Sequence, residues 1–307
     1  MDDLDGLTVA VLGGDARERF VVERLLRERA RVRLAGYGAP SDVGELAAAH
    51  FCDDVVQAVT GADAVVAPMS NTDAAGRIQK TPDPAAVLLL DDAAFGAMRP
   101  GTPLLIGLAK PAVRERAEAR GVLIVETAEI DAVAIPNSIP TAEGAVAKAM
   151  AELDVTIHKS EAIVLGFGRC AQTLVRVLVG LGAHVRVFAR SAGQRARADE
   201  MRASAHPLAA LPDLIGAADV IFNTIPAPVL PAELLPKVSE RAVIIDIASA
   251  PGGVDFAAAQ ALGRRAFHEL SLPGRVAPAT AGAILADAIP ELIRQFALSR
   301  RDTRSTA

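Results

Sequence analysis

Short apolar runs alternate along the 307-residue chain with longer amphipathic stretches. The runs predict buried strands, and apolar residues that recur three or four positions apart predict helices with one buried face. Strands that alternate with helices indicate a parallel sheet covered on both faces. The predicted strands lie at residues 7–12, 32–35, 64–67, 104–106 and 122–125 in the first half, and at 162–165, 185–189, 220–223, 243–246 and 265–269 in the second. We therefore predict an α/β fold with two Rossmann-like, doubly wound parallel-sheet domains and a cleft between them.

The segment that joins the two halves, residues 136–144, places prolines on either side of a short polar stretch. This composition predicts a loop, followed by a hinge helix that starts near Thr141. We divide the chain into an N-terminal substrate domain over residues 1–135, a second domain over 136–298 and a disordered polar tail over 299–307. The last helix of the second domain could pack back on the first domain.

A glycine-rich turn follows the first strand of the second domain. It reads Gly166-Phe167-Gly168-Arg169-Cys170-Ala171. Between a strand and a helix, the pattern G-x-G-x-x-A is a dinucleotide fingerprint. Its first glycine permits a tight turn, its second lets a pyrophosphate approach, and its small third residue lets helix and strand pack closely. The helix N-terminus offers unpaired N–H groups to the phosphates. The predicted cofactor contacts in this turn are Gly166, Phe167, Gly168, Arg169 and Cys170.

Arg190 and Ser191 close the next strand of this domain, where NAD-preferring sites usually carry an acidic residue for the ribose hydroxyls. Arginine offers donors suited to a 2′-phosphate, which an acidic side chain would repel. We predict NADP(H) as the cofactor, with Arg190 and Ser191 among its contacts. The alternative is that Arg190 belongs only to a solvent-exposed helix start.

The loops that follow the strands of an open parallel sheet are the expected ligand contacts. Asn223-Thr224-Ile225-Pro226 follows one such strand and is predicted to pass beside the nicotinamide ribose, although an ordinary strand-ending turn would have the same sequence. Residues 246–253 follow the next strand, and their paired glycines would let the backbone approach a ligand closely.

Composition argues against several classes of function. A net charge of −5, no Trp and one Tyr argue against a nucleic-acid partner. No apolar stretch reaches the roughly 20 residues needed to cross a bilayer, and the acidic start lacks the features of a signal peptide. Cys52 and Cys170 show no metal-ligand spacing and fit a reducing compartment. We expect a cytoplasmic protein with no metal and no membrane partner.

Six motifs follow one another along the chain. They are Gly13-Gly14-Asp15-Ala16-Arg17, N-S-I-P-T-A-E-G at 137–144, G-F-G-R at 166–169, N-T-I-P at 223–226, D-I-A-S-A-P-G-G at 246–253 and L-P-G at 272–274. Together they resemble the A-subunit family of dipicolinate synthase from about residue 7 to residue 293. The first two motifs are the distinctive ones.

The resemblance implies an NADP-dependent oxidoreductase that acts on a CH–CH group during sporulation, in the mother cell. It would oxidise dihydrodipicolinate, supplied directly or as 4-hydroxytetrahydrodipicolinate, to pyridine-2,6-dicarboxylate. The resemblance also implies a partner, the B subunit of dipicolinate synthase.

A dicarboxylate substrate requires groups that bind anions. The candidates are Arg17 and Ser70 in the first domain, and Ser138 and Thr141 in the joining segment. The assignment of Arg17 rests on the family motif, and Arg17 could instead be a solvent-exposed helix residue. The hydroxyls of Ser138 and Thr141 could instead cap the hinge helix. Glu143 is the candidate proton acceptor, provided that burial raises its pKa. Because it could equally serve the helix N-terminus, the catalytic residue stays unassigned.

Three other functions remain open. A D-2-hydroxyacid dehydrogenase-like enzyme usually carries a histidine beside a proline before the last helix, where this chain has Ala277-Pro278-Ala279-Thr280. An amino-acid dehydrogenase-like enzyme could use Lys110 to bind a carboxylate. A non-catalytic NADP(H)-sensing protein would need the fingerprint but no substrate residues. A homo-oligomer is also possible.

Overall fold

The computed structural model describes residues 4–38, 44–69 and 72–298, so Ser70 and the predicted tail lie outside the described residues. The chain forms two compact units. Residues up to Ala134 together with those from Ala277 onward make up unit 1, and Ile135–Val276 make up unit 2. Each unit contains one six-stranded parallel sheet flanked by helices. The predicted pair of Rossmann-like, doubly wound sheets is confirmed.

Unit 1 has the strand order β3-β2-β1-β4-β5-β6, which is the order of a dinucleotide-binding sheet. Its strands are β1 (Thr8–Leu12), β2 (Arg31–Ala35), β3 (His50–Cys52), β4 (Ala64–Val66), β5 (Pro103–Ile106) and β6 (Leu123–Glu126). Its helices are α1 (Ala16–Arg27), α2 (Val55–Val59), α3 (Asp92–Ala97), α4 (Pro111–Ala119) and the late helix α11 (Pro278–Ile293). Two apolar clusters cover the sheet, and α11 contributes to the cluster that also contains α1.

Unit 2 repeats this topology with the order β12-β11-β10-β7-β8-β9. Its strands are β7 (Glu161–Leu165), β8 (His184–Phe188), β9 (Ser204–His206), β10 (Val220–Asn223), β11 (Val243–Asp246) and β12 (Arg265–His268). Its helices are α6 (Arg169–Gly180), α7 (Ala192–Glu200), α8 (Leu211–Leu214), α9 (Phe256–Ala261) and α10 (Leu272–Val276). The glycine turn therefore lies between β7 and α6, next to the strand pair at which the sheet order reverses.

The joining segment is helical, so the predicted loop at 136–144 is wrong. One helix, α5 (Asp131–Glu152), runs through the whole segment and contains Pro136 and Pro140. Its second half buries small residues against the core of unit 2: Ala142, Ala145, Val146 and Ala149. Since most helical stability in proteins comes from packing an apolar face, this burial offsets the cost of the prolines.

Candidate functional site

The turn after β1 in unit 1 is built from two glycines with positive φ angles, 56° at Gly13 and 116° at Gly14. A Cβ on Gly14 would lie 2.7 Å from the Cβ of Glu18, and one on Gly13 would lie 2.9 Å from the carbonyl oxygen of Lys80. The Gly14 N–H donates to that same carbonyl at 2.8 Å. The glycine pair thus lets the backbone at Lys80 pack directly on the turn.

Helix α1 begins immediately after this turn with a capping box formed by Asp15 and Glu18. One carboxylate oxygen of Glu18 accepts the N–H of Asp15 at 2.8 Å, and the other accepts the N–H of Met69 at 3.1 Å. Only 2% of Glu18 is exposed. Glu18 therefore ties the turn after β1 to the chain after β4. The D-x-x-E spacing is the sequence signal that would have identified this pair.

Arg17 is 3% exposed, and its guanidinium pairs with Asp15 through two contacts of 2.9 Å, Nε to Oδ1 and Nη2 to Oδ2. The same carboxylate has a longer contact with Lys80, 3.5 Å from Nζ to Oδ2. Arg17 is therefore held by Asp15, the residue that caps α1. Neither the role of Lys80 nor the pairing with Asp15 was predicted from the sequence.

The electrostatics of this cluster follow from its burial. Desolvation by burial raises the pKa of Asp15, but the hydrogen bonds and charge of Arg17 outweigh it and hold that pKa below its usual value. Desolvation also raises the pKa of Glu18, where the opposing charge of Arg17 does not compensate. Burial likewise raises the pKa of Tyr37, whose hydroxyl donates to the Gly13 carbonyl at 3.0 Å. Tyr37 thus acts as a neutral donor.

An open cavity of about 820 Å³ lies beside this turn. The lining residues are Gly14, Asp15, Ala16, Arg19, Tyr37, Gly38, Leu46, Gln79, Lys80, Thr81, Pro82 and Pro84. This volume falls within the roughly 300–1,000 Å³ of typical ligand pockets. The cavity therefore has room for a small-molecule ligand.

The glycine turn of unit 2 has the geometry that a dinucleotide requires. Gly166 has a φ of 94°, and a Cβ there would lie 2.9 Å from the Cγ1 of Ile225. Gly168 is the N-cap of α6, and a Cβ there would meet no atom within 4 Å. The first glycine thus brings the loop after β10 against the turn, while the second leaves open space at the helix N-terminus for a pyrophosphate.

The other residues of this turn contribute in different ways. Phe167 is buried, and its carbonyl accepts the side-chain amides of Gln172 and Gln194, each at 3.4 Å. Cys170 is half-buried, and burial raises the pKa of its thiol despite the opposing charge of Arg169. The thiol therefore lacks the lowered pKa that is typical of a reactive cysteine.

Arg190 and Ser191 lie just beyond β8. Ser191 is the N-cap of α7, where its hydroxyl oxygen accepts the N–H of Gln194 at 3.1 Å. The guanidinium of Arg195 donates to the carbonyls of Ala189 at 3.1 Å and of Arg190 at 2.7 Å. The backbone of Arg190 is thereby fixed. Its side chain is exposed and has no hydrogen-bond or ion-pair partner within the described part of the chain.

The loop after β10 is ordered by a fully buried amide–carboxylate pair. The Nδ2 of Asn223 donates to Asp246 at 2.9 Å and to the Ile225 carbonyl at 3.0 Å, and its Oδ1 accepts the Ile225 N–H at 3.0 Å. Asp246 also accepts the N–H groups of Ala248 at 2.9 Å and Gly253 at 2.7 Å. The side chain of Asn223 therefore shapes the loop.

The neighbours of Asn223 in this loop are more accessible. The Thr224 hydroxyl donates to the Leu165 carbonyl at 2.8 Å, and Thr224 and Ile225 are half-buried. Pro226 is exposed. The loop therefore rests on the end of β7 with Ile225 against the glycine turn.

The residues predicted in the joining segment lie on α5. Ser138 is fully buried, and its hydroxyl contacts the Thr173 hydroxyl at 2.6 Å and donates to the Ile135 carbonyl at 2.6 Å. The Thr141 hydroxyl donates to the Asn137 carbonyl at 2.8 Å. Neither caps a helix start, because the helix begins ten residues before Thr141. Glu143 is exposed, so it lacks the burial that a proton-accepting role would need.

Within residues 4–38, 44–69 and 72–298, no group of three or more His, Cys, Asp or Glu side chains could hold a metal ion. Among the helices formed by these residues, none has the length and apolar character to cross a bilayer.

The comparisons with known proteins cover both units. Residues 8–128 match the family model for the N-terminal domain of the dipicolinate synthase A subunit, and residues 139–270 match the NAD-binding domain of D-isomer specific 2-hydroxyacid dehydrogenases. The dipicolinate synthase A subunit of Bacillus subtilis is 34% identical over 293 residues, which is 95% of this chain and 98% of that relative. The chain belongs to the A-subunit family of dipicolinate synthase.

Two crystal structures of family members extend this likeness to the fold. The structure of the Bacillus halodurans protein has a TM-score of 0.88 at 32% identity, covering 95% of this chain and 99% of that one. The Bacillus subtilis structure has a TM-score of 0.89 at 32% identity, covering 97% and 99%. With its dehydrogenase-type NAD-binding domain, the chain is an oxidoreductase that uses a nicotinamide dinucleotide.

Proposed function

We propose that this chain oxidises dihydrodipicolinate, supplied directly or formed from 4-hydroxytetrahydrodipicolinate by loss of water, to pyridine-2,6-dicarboxylate, with NADP⁺ as the hydride acceptor. The observation that carries this proposal is the match over almost the whole length to relatives that form the A subunit of dipicolinate synthase. The glycine turn of unit 2 supports it, because the space beside Gly168 fits a pyrophosphate. When bound, the cofactor accepts a hydride from the dihydropyridine ring.

The residues of unit 2 hold and orient the cofactor. The N–H groups at the start of α6 would bind its pyrophosphate, and the half-buried Ile225 packs the loop after β10 beside the turn. The exposed guanidinium of Arg190 favours a 2′-phosphate. The loss of one hydride and one proton makes the ring aromatic. Because Glu143 is exposed, we assign no protein base and give the proton to water.

The name of the family implies a second kind of subunit, and we propose that the B subunit of dipicolinate synthase is the partner of this chain in the mother cell of a spore former. Two of the rival functions, the amino-acid dehydrogenase-like and the D-2-hydroxyacid dehydrogenase-like enzymes, lose support. Lys110 precedes α4 and is not among the residues that line the cavity of unit 1, and the stretch from Ala277 to Thr280 contains no histidine.

The test uses the purified full chain with freshly generated dihydrodipicolinate and either NADP⁺ or NAD⁺. Reduced-nicotinamide absorbance and chromatographic detection of pyridine-2,6-dicarboxylate are followed together, against an enzyme-free control for spontaneous oxidation. We expect matched formation of NADPH and the dicarboxylate, faster than with NAD⁺. No product above the control, even in the presence of the B subunit, would disprove the reaction.

A further inference from the structure

Lys80 is the cavity residue whose position the glycine turn fixes most directly. Its carbonyl accepts the Gly14 N–H at 2.8 Å, and the carbonyl oxygen lies only 2.9 Å from where a Cβ on Gly13 would be. Lys80 and Asp15 both line the cavity, and 44% of the Lys80 side chain is exposed. The backbone is therefore held while the charged end can still meet a ligand.

The charges around Asp15 leave Lys80 available. Arg17 occupies both oxygens of Asp15 at 2.9 Å, so the carboxylate is already neutralised without Lys80. The contact with Lys80 is 3.5 Å, which is beyond the usual length of a charge-assisted hydrogen bond. The carboxylate of a ligand in the cavity could therefore pair with the ammonium group of Lys80, and Asp15 would keep its ion pair with Arg17.

The remaining walls favour a ring that carries carboxylates. Tyr37, Leu46, Pro82 and Pro84 present apolar surface to the cavity. The other cation in the lining, Arg19, already pairs with Glu23 at 2.9 Å. The combination of apolar walls and one weakly engaged ammonium suits a planar, anionic heterocycle.

We propose that the cavity of unit 1 binds the substrate ring and that Lys80 pairs with one of its carboxylates, while Arg17 acts indirectly by holding Asp15. This inference rests on the proposed function for the identity of the ring. It moves the carboxylate contact from Arg17 to a residue outside the family motif.

The test measures binding without turnover, using pyridine-2,6-dicarboxylate in equilibrium dialysis with the full chain, with and without NADP⁺. For Lys80→Gln we expect the Kd to rise about 10- to 100-fold, because a charge-assisted contact is lost. Lys80→Arg should recover most of the affinity. Arg27→Gln removes the same charge from the far end of α1 and should leave the Kd unchanged. The neutral pyridine-2-carboxamide should not distinguish the wild type from Lys80→Gln.

In the oxidation assay, Lys80→Gln should raise the KM for dihydrodipicolinate while kcat changes little. An unchanged Kd and KM for Lys80→Gln, in an enzyme that still oxidises dihydrodipicolinate, would overturn this inference and leave the proposed function intact. A third outcome is that Lys80→Gln loses dicarboxylate binding while the wild-type chain itself oxidises no dihydrodipicolinate. This outcome would support the binding site and reject the proposed reaction. A wild-type chain that does not bind the dicarboxylate at all would overturn the site.

Discussion

Asp15 shows how one side chain can serve the fold and the candidate site together. Its carboxylate caps α1, neutralises the buried Arg17 and contacts Lys80. Removing its charge would take away the carboxylate that pairs with the buried guanidinium of Arg17 through two contacts, and breaking a buried ion pair is among the costly changes in a folded protein. Substitution of Asp15 should therefore lower the free energy of unfolding more than substitution of a residue in an exposed ion pair.

We predict that Asp15→Asn lowers the free energy of unfolding by about 3 kcal/mol at pH 7. Because the folded pKa of Asp15 lies below its ordinary value of 3.8, the charged form contributes stability above that value and loses it as pH falls through the folded pKa. In urea unfolding measured from pH 7 to pH 3, the difference in the free energy of unfolding between wild type and Asp15→Asn should become smaller towards pH 3.

The control for this prediction is Asp5→Asn, which breaks the exposed pair with Arg29, 2.8 Å long. Exposed pairs contribute little, so its unfolding midpoint should barely move. Equal effects of the two substitutions would contradict the interpretation.

Arg190 carries the cofactor preference. We predict that Arg190→Ala raises KM for NADP⁺ about 10- to 100-fold, through loss of a charged contact to the 2′-phosphate, and changes KM for NAD⁺ little. Arg197→Ala is the matched control, because Arg197 lies on the helix that follows Arg190 and pairs with the exposed Glu200. Steady-state kinetics with both cofactors check this prediction, and an equal rise for NADP⁺ and NAD⁺ would refute it.

For single residues, the sequence predicts a role correctly where that role depends only on the local backbone. The turns at Gly166 and Gly168 need glycine for reasons visible within one strand–turn–helix unit. The role of Arg17 was not predictable in the same way, because a sequence does not tell whether a charged side chain is buried against a neighbour. Nor does it show that Lys80, more than 60 residues later, packs on the turn after β1.

Helix α5 is the element for which local sequence rules fail. Two prolines and a polar segment predict a break, yet the helix runs from Asp131 to Glu152. The buried small residues of its second half, such as Ala145 and Ala149, decide the outcome. The edge strands β3 and β9 are three residues each and were missed for the opposite reason. Their sequences hold no apolar run, and pairing with β2 and β8 defines them.

Because α5 is continuous, Pro136 lies inside a helix and should lower the free energy of unfolding. We predict that Pro136→Ala raises the free energy of unfolding by about 1–3 kcal/mol, because a helix-interior proline removes a backbone hydrogen bond and clashes with the preceding turn. Pro278→Ala is the control, since Pro278 is the first residue of α11, where proline is well tolerated. Urea unfolding midpoints of the two variants should differ clearly. A Pro136→Ala protein no more stable than the wild type would contradict a continuous helix.

The alternation of strands and helices along the sequence predicts the type of sheet in each unit, but it does not predict where the last helix packs. Repeated strand–helix–strand crossovers of one hand lead to the same strand order in both sheets. The periodicity of α11 predicts a buried helix but does not identify the surface that receives it. That surface belongs to α1, and the contact depends on Gly282, where a Cβ would lie 2.8 Å from the Cγ of Phe20.

We therefore predict that Gly282→Val destabilises unit 1 by about 1–3 kcal/mol, because the added methyl groups overpack the contact with the Phe20 ring. Gly180→Ala is the control in unit 2. Gly180 ends α6 with no atom within 4 Å of an added Cβ, so alanine there should be neutral or slightly stabilising. Adding Phe20→Ala to Gly282→Val should restore part of the loss, which makes the two changes non-additive. Hydrogen exchange would show the loss of protection in β1 and α1, with β7 and α6 unaffected. Strictly additive effects would mean that the close approach of α1 and α11 does not hold this helix in place.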